Sequence, residues 1–205
     1  MQTEVISAEH KEALQIALVI LHKGGLVAFP TDTVYGLGAL AFNGAAVESI
    51  YLAKDRPIEK AIPVLIGDVT DLEKVSDDIP DDARALASRF WPGPLTVIVP
   101  KRPTLPGAVS ATSTVGVRVP DHPVARELLR AAGPMAVTSA NISGQPSPAT
   151  AQEVFEQLDG RIELIIDGGR TPGGIPSTLV DCTGSEIKVL REGPISLEQI
   201  LVTLG

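Results

Sequence analysis

Short apolar runs alternate with amphipathic segments along the chain. The runs have strand length and are rich in Val, Ile and Leu, as expected for a sheet buried on both faces. They predict strands at 26–29, 62–66, 95–99, 115–119, 135–138, 162–166, 178–181 and 187–191. The segments between them carry apolar residues at helical spacing. This alternation predicts a single α/β domain over residues 1–205.

Capping residues place the starts of several predicted helices. A short polar side chain at the N-cap accepts a hydrogen bond from the first turn, and a Glu or Gln three residues later completes a capping box. Thr150 with Glu153 and Ser196 with Gln199 match that box. Further helical segments are predicted at 68–75, before Phe90 and at 123–132. The predicted N-caps, in chain order, are Ser7, Asn43, Thr150 and Ser196.

The stretch GGLVAFPTDTVYGLG, residues 24–38, joins a buried strand to a polar corner. Pro30 lacks a backbone donor, so we expect sheet pairing to stop there. The triplet 31–33, Thr-Asp-Thr, follows at the mouth of the strand, and residues 35–38 are predicted to close the turn with their two glycines. Polar strand ends are where α/β proteins bind ligands, and an ordinary polar corner is the alternative.

Composition narrows the classes of function. The 205 residues include 44% hydrophobic but only 3% aromatic residues, and the net charge of -8 argues against non-specific nucleic-acid binding. Cys182 lies in an apolar run and is predicted to be a small buried residue. The N-terminus lacks the pattern of a signal peptide, and no apolar run approaches the roughly 20 residues of a membrane span. We therefore expect a cytoplasmic protein without membrane contact.

Two groups of residues have the chemistry of an anion site. Lys54, Arg56 and Lys60 surround a proline at the end of a predicted helix, and Arg and Lys together suit a phosphate clamp. Solvated cations at a helix end are the alternative, since they complement the helix dipole. Residues 138–147 place small hydroxyl and amide side chains after an apolar strand. Such a segment either presents donors to an anion or is simply a turn.

Two arginines lie in or beside apolar strands. Arg118 is flanked by valines, and Arg191 lies at the end of the predicted strand at 187–191. A charge at such a position must face solvent, a partner or a ligand, and the sequence leaves that choice open.

Several well-known catalytic motifs do not occur in the sequence. It contains neither the phosphate-binding loop GxxxxGK[ST] nor the dinucleotide fingerprint GxGxxG. The histidines lack metal-site spacing, and no GxSxG nucleophile elbow occurs. If the protein is an enzyme, we therefore expect positioning and charge stabilisation to account for most of its catalysis, and we expect no dedicated protein metal site.

Taken together, these segments resemble the YrdC/Sua5 family of threonylcarbamoyl-AMP synthases. The resemblance extends over nearly the whole chain, and the paired signature KxR…SxN is present as Lys54, Arg56, Ser139 and Asn141. The matching motifs are FPTDTVYGLG at 29–38, KDRP at 54–57, FWPGPLT at 90–96, TVGVRVPDHPVA at 114–125, TSANISGQPSP at 138–148, STLVD at 177–181 and LREGPIS at 190–196.

The resemblance implies a YrdC-like fold, with a twisted mixed sheet, flanking helices and a deep concave site lined by positive charge. It implies that L-threonine, bicarbonate or CO₂ and ATP are converted into threonylcarbamoyl-AMP and pyrophosphate, with Mg²⁺ accompanying ATP. A separate tRNA threonylcarbamoyl transferase complex would use the product to make the t⁶A modification, and direct tRNA contact would be weak. Because the chain ends at Gly205, it resembles the short, single-domain branch of the family.

The resemblance also implies a role for each matching residue. Lys54 and Arg56 would be catalytic, completing the phosphate environment with Asn141. The residues implied to bind L-threonine are Thr33, Arg118 and Ser177. The residues implied to bind ATP are Arg56, Lys60, Thr114, Ser139, Asn141, Ser147 and Arg191.

The chain departs from the common family pattern at three positions. Lys60 replaces a frequent asparagine, Leu65 a histidine found in some relatives, and Thr138 a common proline. One competing hypothesis is an accessory protein that binds double-stranded RNA or tRNA without adenylation, against which the acidic composition argues. Another is the carbamoyl-adenylate chemistry of hydrogenase-maturation carbamoyltransferases, whose related domain belongs to longer chains. From its composition, segment 101–114 is the candidate for a mobile lid.

Overall fold

The computed structural model describes residues 2–172 and 174–205. Within these ranges the chain forms one ten-stranded sheet with helices on both faces. This confirms the predicted α/β architecture, although the sequence predicts only eight of the ten strands. The strands are β1 (Glu4–Ser7), β2 (Val27–Phe29), β3 (Gly36–Leu40), β4 (Val64–Leu65), β5 (Leu95–Pro100), β6 (Thr114–Arg118), β7 (Met135–Ser139), β8 (Leu164–Asp167), β9 (Thr178–Asp181) and β10 (Lys188–Arg191).

The α-helices lie largely where apolar periodicity predicts them. A short 3₁₀ segment, Val69–Lys74, occupies the predicted acidic helical stretch. The helices are α1 (Ala13–His22), α2 (Gly44–Lys54), α3 (Asp81–Phe90), α4 (Pro123–Ala132), α5 (Ala151–Leu158) and α6 (Leu197–Leu204). None of the helices within the described ranges has both the length and the apolar character needed to span a bilayer.

The sheet is mixed, with strand order β1-β8-β2-β3-β7-β4-β6-β5-β9-β10. Parallel pairs are β1 with β8, β2 with β8, β4 with β6 and β5 with β9. The remaining neighbours pair antiparallel. This order places β7, β6 and β9 within five neighbouring strands, β7-β4-β6-β5-β9. The predicted binding residues of those strands therefore share a region.

The helices cover the two faces of the sheet unequally. On one face, α1 and α4 pack against each other and over strands β2, β3, β7 and β8, forming a core that includes Leu21, Phe29 and Leu129. On the other face, α2, α3, α5 and α6 cover a larger core. The valines of β5 and β6, such as Val97 and Val117, point into that larger core. Because side chains alternate along a strand, the other residues of both strands face away from it. Those residues form the floor of the cavity described below.

The sequence predicts Ser7 as the N-cap of the first helix, and the structure shows that this prediction is wrong. Residues Glu4–Ser7 form β1, which pairs in parallel with β8, and α1 begins at Ala13. The N-cap residue Glu12 makes no side-chain capping bond. The prediction was wrong because a four-residue strand with one buried side chain, Ile6, has almost no local signal. Its stabilising partner lies about 160 positions later in the chain.

Residues 35–38 do not close a turn, which corrects a second prediction. Residues 36–38 instead belong to β3, which pairs antiparallel with both β2 and β7. A Cβ atom on Gly36 would lie 2.7 Å from Cγ1 of Val137, and one on Gly38 would lie 2.8 Å from Cε of Met135. Glycine at both positions thus lets the side chains of β7 lie directly on β3. The strand was missed because glycine has low β propensity and usually indicates a turn.

Three predicted N-caps agree with the structure wholly or in part. Asn43 accepts a hydrogen bond from the backbone N–H of Ala46, and Ser196 forms the complete capping box with Gln199. Thr150 accepts from the N–H of Glu153, as predicted. The second half of that box is different, because the Glu153 carboxylate accepts from the N–H of Ala149 rather than from Thr150.

Candidate functional site

A cavity of about 410 Å³ lies on the part of the sheet next to α1 and α4, a volume typical of small-molecule sites. Leu65 and Val137 belong both to the core beneath those helices and to the cavity wall. The floor continues over β5, β6 and β9 through alternate residues such as Ile98, Gly116 and Leu179. The wall therefore combines an apolar sheet surface with the polar residues at the strand ends.

Seven of the predicted binding residues line this cavity. They come from strand ends and adjoining loops that the sheet order brings together. These residues are Thr33, Arg56, Arg118, Ser139, Ser147, Ser177 and Arg191. Four predicted residues are not among the lining residues, namely Lys54, Lys60, Thr114 and Asn141.

Arg118 ends β6 and is only 6% exposed. Its Nε donates to the carbonyl of Gly93 at 3.0 Å, and Nη1 donates to the hydroxyl of Thr33 at 3.1 Å. Its Nη2 donates to Oδ1 of Asp32, forming an ion pair with little exposure of either side chain. Burial lowers the pKa of Arg118, and the charge of Asp32 opposes that shift. The guanidinium is thus held in a fixed orientation at the cavity wall.

Asp32 belongs to the polar triplet 31–33, although the sequence motifs give it no role in the site. Its Oδ1 accepts from Arg118, whereas its Oδ2 is buried without a hydrogen-bond partner among the described residues. Arg118 would be an uncompensated buried charge without Asp32, which is strongly unfavourable. Asp32 is therefore part of the structure that holds Arg118 in place.

Ser177 and Arg191 meet at the edge of the cavity next to β9. The Nε of Arg191 donates to the carbonyl of Ser177 at 3.0 Å, and its Nη2 lies 3.3 Å from the Ser177 hydroxyl. That hydroxyl is also 2.8 Å from the hydroxyl of Thr96, a buried residue of β5 on the cavity floor. The threonine of FWPGPLT carried no sequence signal for this role. Only the parallel pairing of β5 with β9 places it beside Ser177.

The structure places Lys54 behind the cavity wall. It ends α2, is 1% exposed, and donates from Nζ to the carbonyl oxygens of Ser139 and Asn141. Burial, followed by the charge of Arg56, lowers the pKa of Lys54 to about 7. Lys54 thus ties the end of α2 to the turn that follows β7.

Arg56 and Lys60 lie in different environments. Arg56 lies on the cavity wall, where its Nε and Nη2 donate to the carbonyls of Lys60 and Ala61 at 3.2 and 3.0 Å. Burial lowers its pKa, yet an arginine keeps its charge at neutral pH. The Lys60 side chain is exposed. Its backbone carbonyl accepts from Arg56, whereas its side chain is not part of the cavity lining.

The segment after β7 is held by Asn141 as well as by Lys54. The Nδ2 of Asn141 donates to the carbonyls of Ile142 and Gln145 at 2.8 and 2.9 Å. Its Oδ1 is buried and has no hydrogen-bond partner among the described residues. These bonds shape the turn that begins at Ser139, the last residue of β7, and both Ser139 and Ser147 line the cavity.

Thr114 lies at the end of the segment 101–114. Its hydroxyl is 3.1 Å from that of Thr112, which is 3.0 Å from that of Ser110. The ammonium of Lys101 donates to the carbonyl of Ser110 at 2.5 Å. The segment therefore has internal hydrogen bonds, although it contains no helix or strand before Thr114. Its role as a lid stays a prediction.

Two of the three departures from the family pattern fall on the cavity itself. Leu65 and Thr138 both line it. Within the described ranges, no group of three or more His, Cys, Asp or Glu side chains could hold a metal ion. None of the described lining residues is Asp or Glu, the usual protein ligands of Mg²⁺. The residues present therefore do not fit a protein-held Mg²⁺.

Comparison with known proteins identifies the family of the chain. Residues 19–193 match the sequence model of the Sua5/YciO/YrdC family, which is described as telomere recombination. The chain is 44% identical over 206 residues to a Bacillus subtilis protein named threonylcarbamoyl-AMP synthase, covering 99% of this chain and 59% of that protein. It is 44% identical to a Mycobacterium tuberculosis putative threonylcarbamoyl-AMP synthase, covering 92% of this chain and 88% of that protein.

The fold is also similar to solved structures. Superposition on P. abyssi Sua5 complexed with L-threonine gives a TM-score of 0.95 at 42% identity, covering 99% of this chain and 61% of that one. The chain thus spans about three fifths of the length of the B. subtilis and P. abyssi proteins. The match to the family model extends over most of the sequence. The chain therefore belongs to the Sua5/YciO/YrdC family.

Proposed function

We propose that the chain is a threonylcarbamoyl-AMP synthase. It would convert L-threonine, bicarbonate and ATP into threonylcarbamoyl-AMP, pyrophosphate and water. The observation that carries the proposal is the convergence of Arg56, Arg118 and Arg191 with serine and threonine hydroxyls in one cavity. Both main substrates are anionic where they would meet these groups. The names of the similar proteins agree with this reaction.

The amino acid would bind beside β6. A carboxylate suits the fixed guanidinium of Arg118, which has five N–H donors and uses three of them within the protein. Thr33 and Ser177 would bind the remaining polar groups of threonine. Leu65, on the same wall, would offer an apolar contact. The P. abyssi protein whose structure contains L-threonine has a closely similar fold, which supports an amino-acid site in this family.

ATP would occupy the rest of the cavity, where Arg56, Ser139, Ser147 and Arg191 line the wall. Arg56 and Arg191 would face its phosphates, and the hydroxyls of Ser139 and Ser147 would donate to phosphate oxygens. The remaining predicted ATP contacts, from Lys60, Thr114 and Asn141, require the nucleotide to extend beyond the cavity or the loops to close. Lys54, predicted as catalytic, would instead position the turn that carries Ser139.

The reaction needs two anions to approach each other. The nitrogen of threonine first bonds to the carbon of bicarbonate, with loss of water, to give a carbamate. A carbamate oxygen then attacks the α-phosphorus of ATP while the bond to pyrophosphate breaks. Fixed cations stabilise the charge that develops on the phosphate oxygens, and removal of one such donor typically costs about 3–4 kcal/mol. Arg56 is our candidate for that role, and no covalent enzyme intermediate is required.

Mg²⁺ is expected to enter with ATP. Because the described lining offers no carboxylate, the metal would take its oxygen ligands from the triphosphate and water. We therefore assign no protein residue to it and no step to it. The product would pass to a tRNA threonylcarbamoyl transferase complex, which completes the t⁶A modification. That partner, weak tRNA contact and a cytoplasmic location all stay predictions.

The proposal is tested by measuring ATP-dependent pyrophosphate release with and without L-threonine and bicarbonate. We expect release only when both are present, and a loss of roughly 10²–10³-fold in Arg56→Ala. Arg84→Ala, which changes an exposed arginine on α3, is the matched control and should retain activity. Pyrophosphate release that does not depend on threonine, or an Arg56→Ala variant as active as Arg84→Ala, would contradict the proposal.

The alternative function, RNA binding without adenylation, is not favoured. The net charge of -8 opposes phosphate-backbone binding outside a local basic site. The alternative requires steeply salt-dependent binding of tRNA or double-stranded RNA by folded protein that releases no pyrophosphate. Those two measurements, made on one preparation, separate the two functions.

A further inference from the structure

Thr31 is a buried residue of the cavity wall to which neither the motif comparison nor the proposed reaction gives a role. It is 3% exposed and lies two residues before Thr33. Its hydroxyl oxygen is 2.6 Å from the carbonyl of Val34 and 3.0 Å from the hydroxyl of Thr33. It also accepts from the N–H groups of Thr33 and Val34 at 3.2 and 3.3 Å. The Thr31 side chain thus closes the turn that presents Thr33.

These contacts determine where the hydroxyl hydrogens point. A carbonyl oxygen only accepts, so the Thr31 hydroxyl must donate its hydrogen to Val34. The N–H groups of Thr33 and Val34, at 3.2 and 3.3 Å, share one lone pair of the Thr31 oxygen as a three-centre contact, which leaves the other lone pair for the Thr33 hydroxyl. The contact between the two threonine hydroxyls then takes its hydrogen from Thr33. Arg118 has no acceptor, so Thr33 must accept from its Nη1. The Thr33 hydroxyl therefore donates to Thr31 and accepts from Arg118.

One lone pair of the Thr33 oxygen remains for the cavity. A hydroxyl has one hydrogen and two lone pairs, and here the hydrogen and one lone pair are already used. Toward a ligand, Thr33 can only accept. The group next to it on the ligand must carry an N–H or O–H bond, whereas Arg118 beside it can only donate. The wall thus offers an acceptor and a donor side by side.

We propose that Thr31 is a positioning residue that holds the Thr33 hydroxyl as a hydrogen-bond acceptor, so that the site selects an amino acid by an N–H or O–H donor next to its carboxylate. The amino-acid part of this inference depends on the proposed function. The carboxylate would meet Arg118, and the donor would be the amino group or the side-chain hydroxyl. Without Thr31, the Thr33 hydroxyl would be free to turn its hydrogen toward the ligand, placing donor against donor.

The test compares Thr31→Val and Thr31→Ser with the wild type by calorimetric titration. Valine keeps both branches of the side chain and removes the hydroxyl, whereas serine keeps the hydroxyl. We expect the dissociation constant for L-threonine to rise roughly tenfold or more in Thr31→Val and to stay within about threefold of wild type in Thr31→Ser. The dissociation constant for ATP should change by less than about twofold in both variants.

A second ligand identifies the donor. L-2-aminobutyrate has the amino group of threonine but no hydroxyl. If Thr31→Val weakens both ligands by the same factor, the amino group is the donor to Thr33. If only L-threonine is weakened, the donor is the side-chain hydroxyl. Either result supports the inference. A valine variant that binds L-threonine as well as wild type, or that loses L-threonine and ATP equally, would overturn it.

A neutron structure of the wild-type protein tests the inference without any variant, which matters if Thr31→Val does not fold. The deuterium on the Thr33 hydroxyl should point to Thr31, and one that points into the cavity would overturn the inference. If the wild type binds no L-threonine, the proposed function and the ligand assignment both fail. If it binds L-threonine and releases pyrophosphate while Thr31→Val matches it, only the inference fails.

Discussion

In Lys54→Met, the carbonyl oxygens of Ser139 and Asn141 lose the amino group that pairs with both. Each buried carbonyl left unpaired costs about 1–3 kcal/mol, and the more easily buried methionine offsets part of that cost. Near pH 7 we therefore expect a net loss of about 1–3 kcal/mol in the free energy of unfolding. The turn that carries Ser139 should also shift, and we expect kcat/KM for ATP to fall roughly 10²-fold.

The same variant should remove a pH dependence of stability. Burial and the charge of Arg56 lower the pKa of Lys54 from its ordinary 10.5 to about 7, so between these values the folded protein binds fewer protons than the unfolded chain. Stability therefore rises with pH in this window, by at most about 1.4 kcal/mol per pH unit. The neutral amine still has two N–H bonds for its two carbonyl acceptors. Deprotonation thus relieves the buried charge without breaking the contact.

Urea unfolding at several pH values between about 7.5 and 9.5 measures this effect. Relative to Lys54→Met, the wild type should gain roughly 2–3 kcal/mol across that range. Lys11→Met, which changes an exposed lysine, is the control and should follow the wild type. Parallel pH profiles for the wild type and Lys54→Met would refute the burial argument. Unchanged pyrophosphate release by Lys54→Met would refute the positioning role.

Two further predictions concern backbone and charge around the cavity. Asp32→Asn leaves the buried Arg118 without its counter-charge, so we expect the free energy of unfolding to fall by about 3–5 kcal/mol. Urea denaturation measures this change, and a loss below about 1 kcal/mol would contradict the prediction. In Gly193→Ala the new Cβ would lie 2.5 Å from the carbonyl oxygen of Pro176, so the melting temperature and the ATP affinity should both fall. Gly107→Ala is the control and should change neither quantity, because nothing lies within 4 Å of a Cβ at that position. Equal behaviour of the two variants would disprove the steric argument.

Local sequence pattern was enough for most of the sheet and helices. The run 95–99 corresponds to β5, and the prediction of a helix from Pro123 to Ala132 is confirmed for α4. These elements have strong periodicity or clear caps, which depend on neighbouring residues only. Strands β1 and β3 were missed for opposite reasons. The first depends on a distant partner, and the second uses glycines whose purpose is to accommodate side chains of β7.

The residues of the candidate site could also be predicted only in part from the sequence. Motif order identified Arg118, Thr33 and Ser177, which all line the cavity. It could not separate Arg56 on the cavity wall from Lys54 behind it, because both belong to one short motif. The difference arises where α2 ends, since its last residue points into the protein and Arg56 follows in the loop. Their roles in catalysis stay predictions until the variants are measured.

By itself, the sequence determined the alternation of strands and helices, the scarcity of basic surface and the set of motifs that carry the candidate chemistry. These depend on local periodicity and on residue identity. Only the tertiary structure decided that Asp32 pairs with Arg118, that Thr96 meets Ser177 and that the hydroxyl of Thr31 orients Thr33. The first two contacts follow from strand order and burial, which long-range pairing creates, and the third follows from the side-chain geometry of the turn itself. Neither property is expressed in the spacing of residues along the chain.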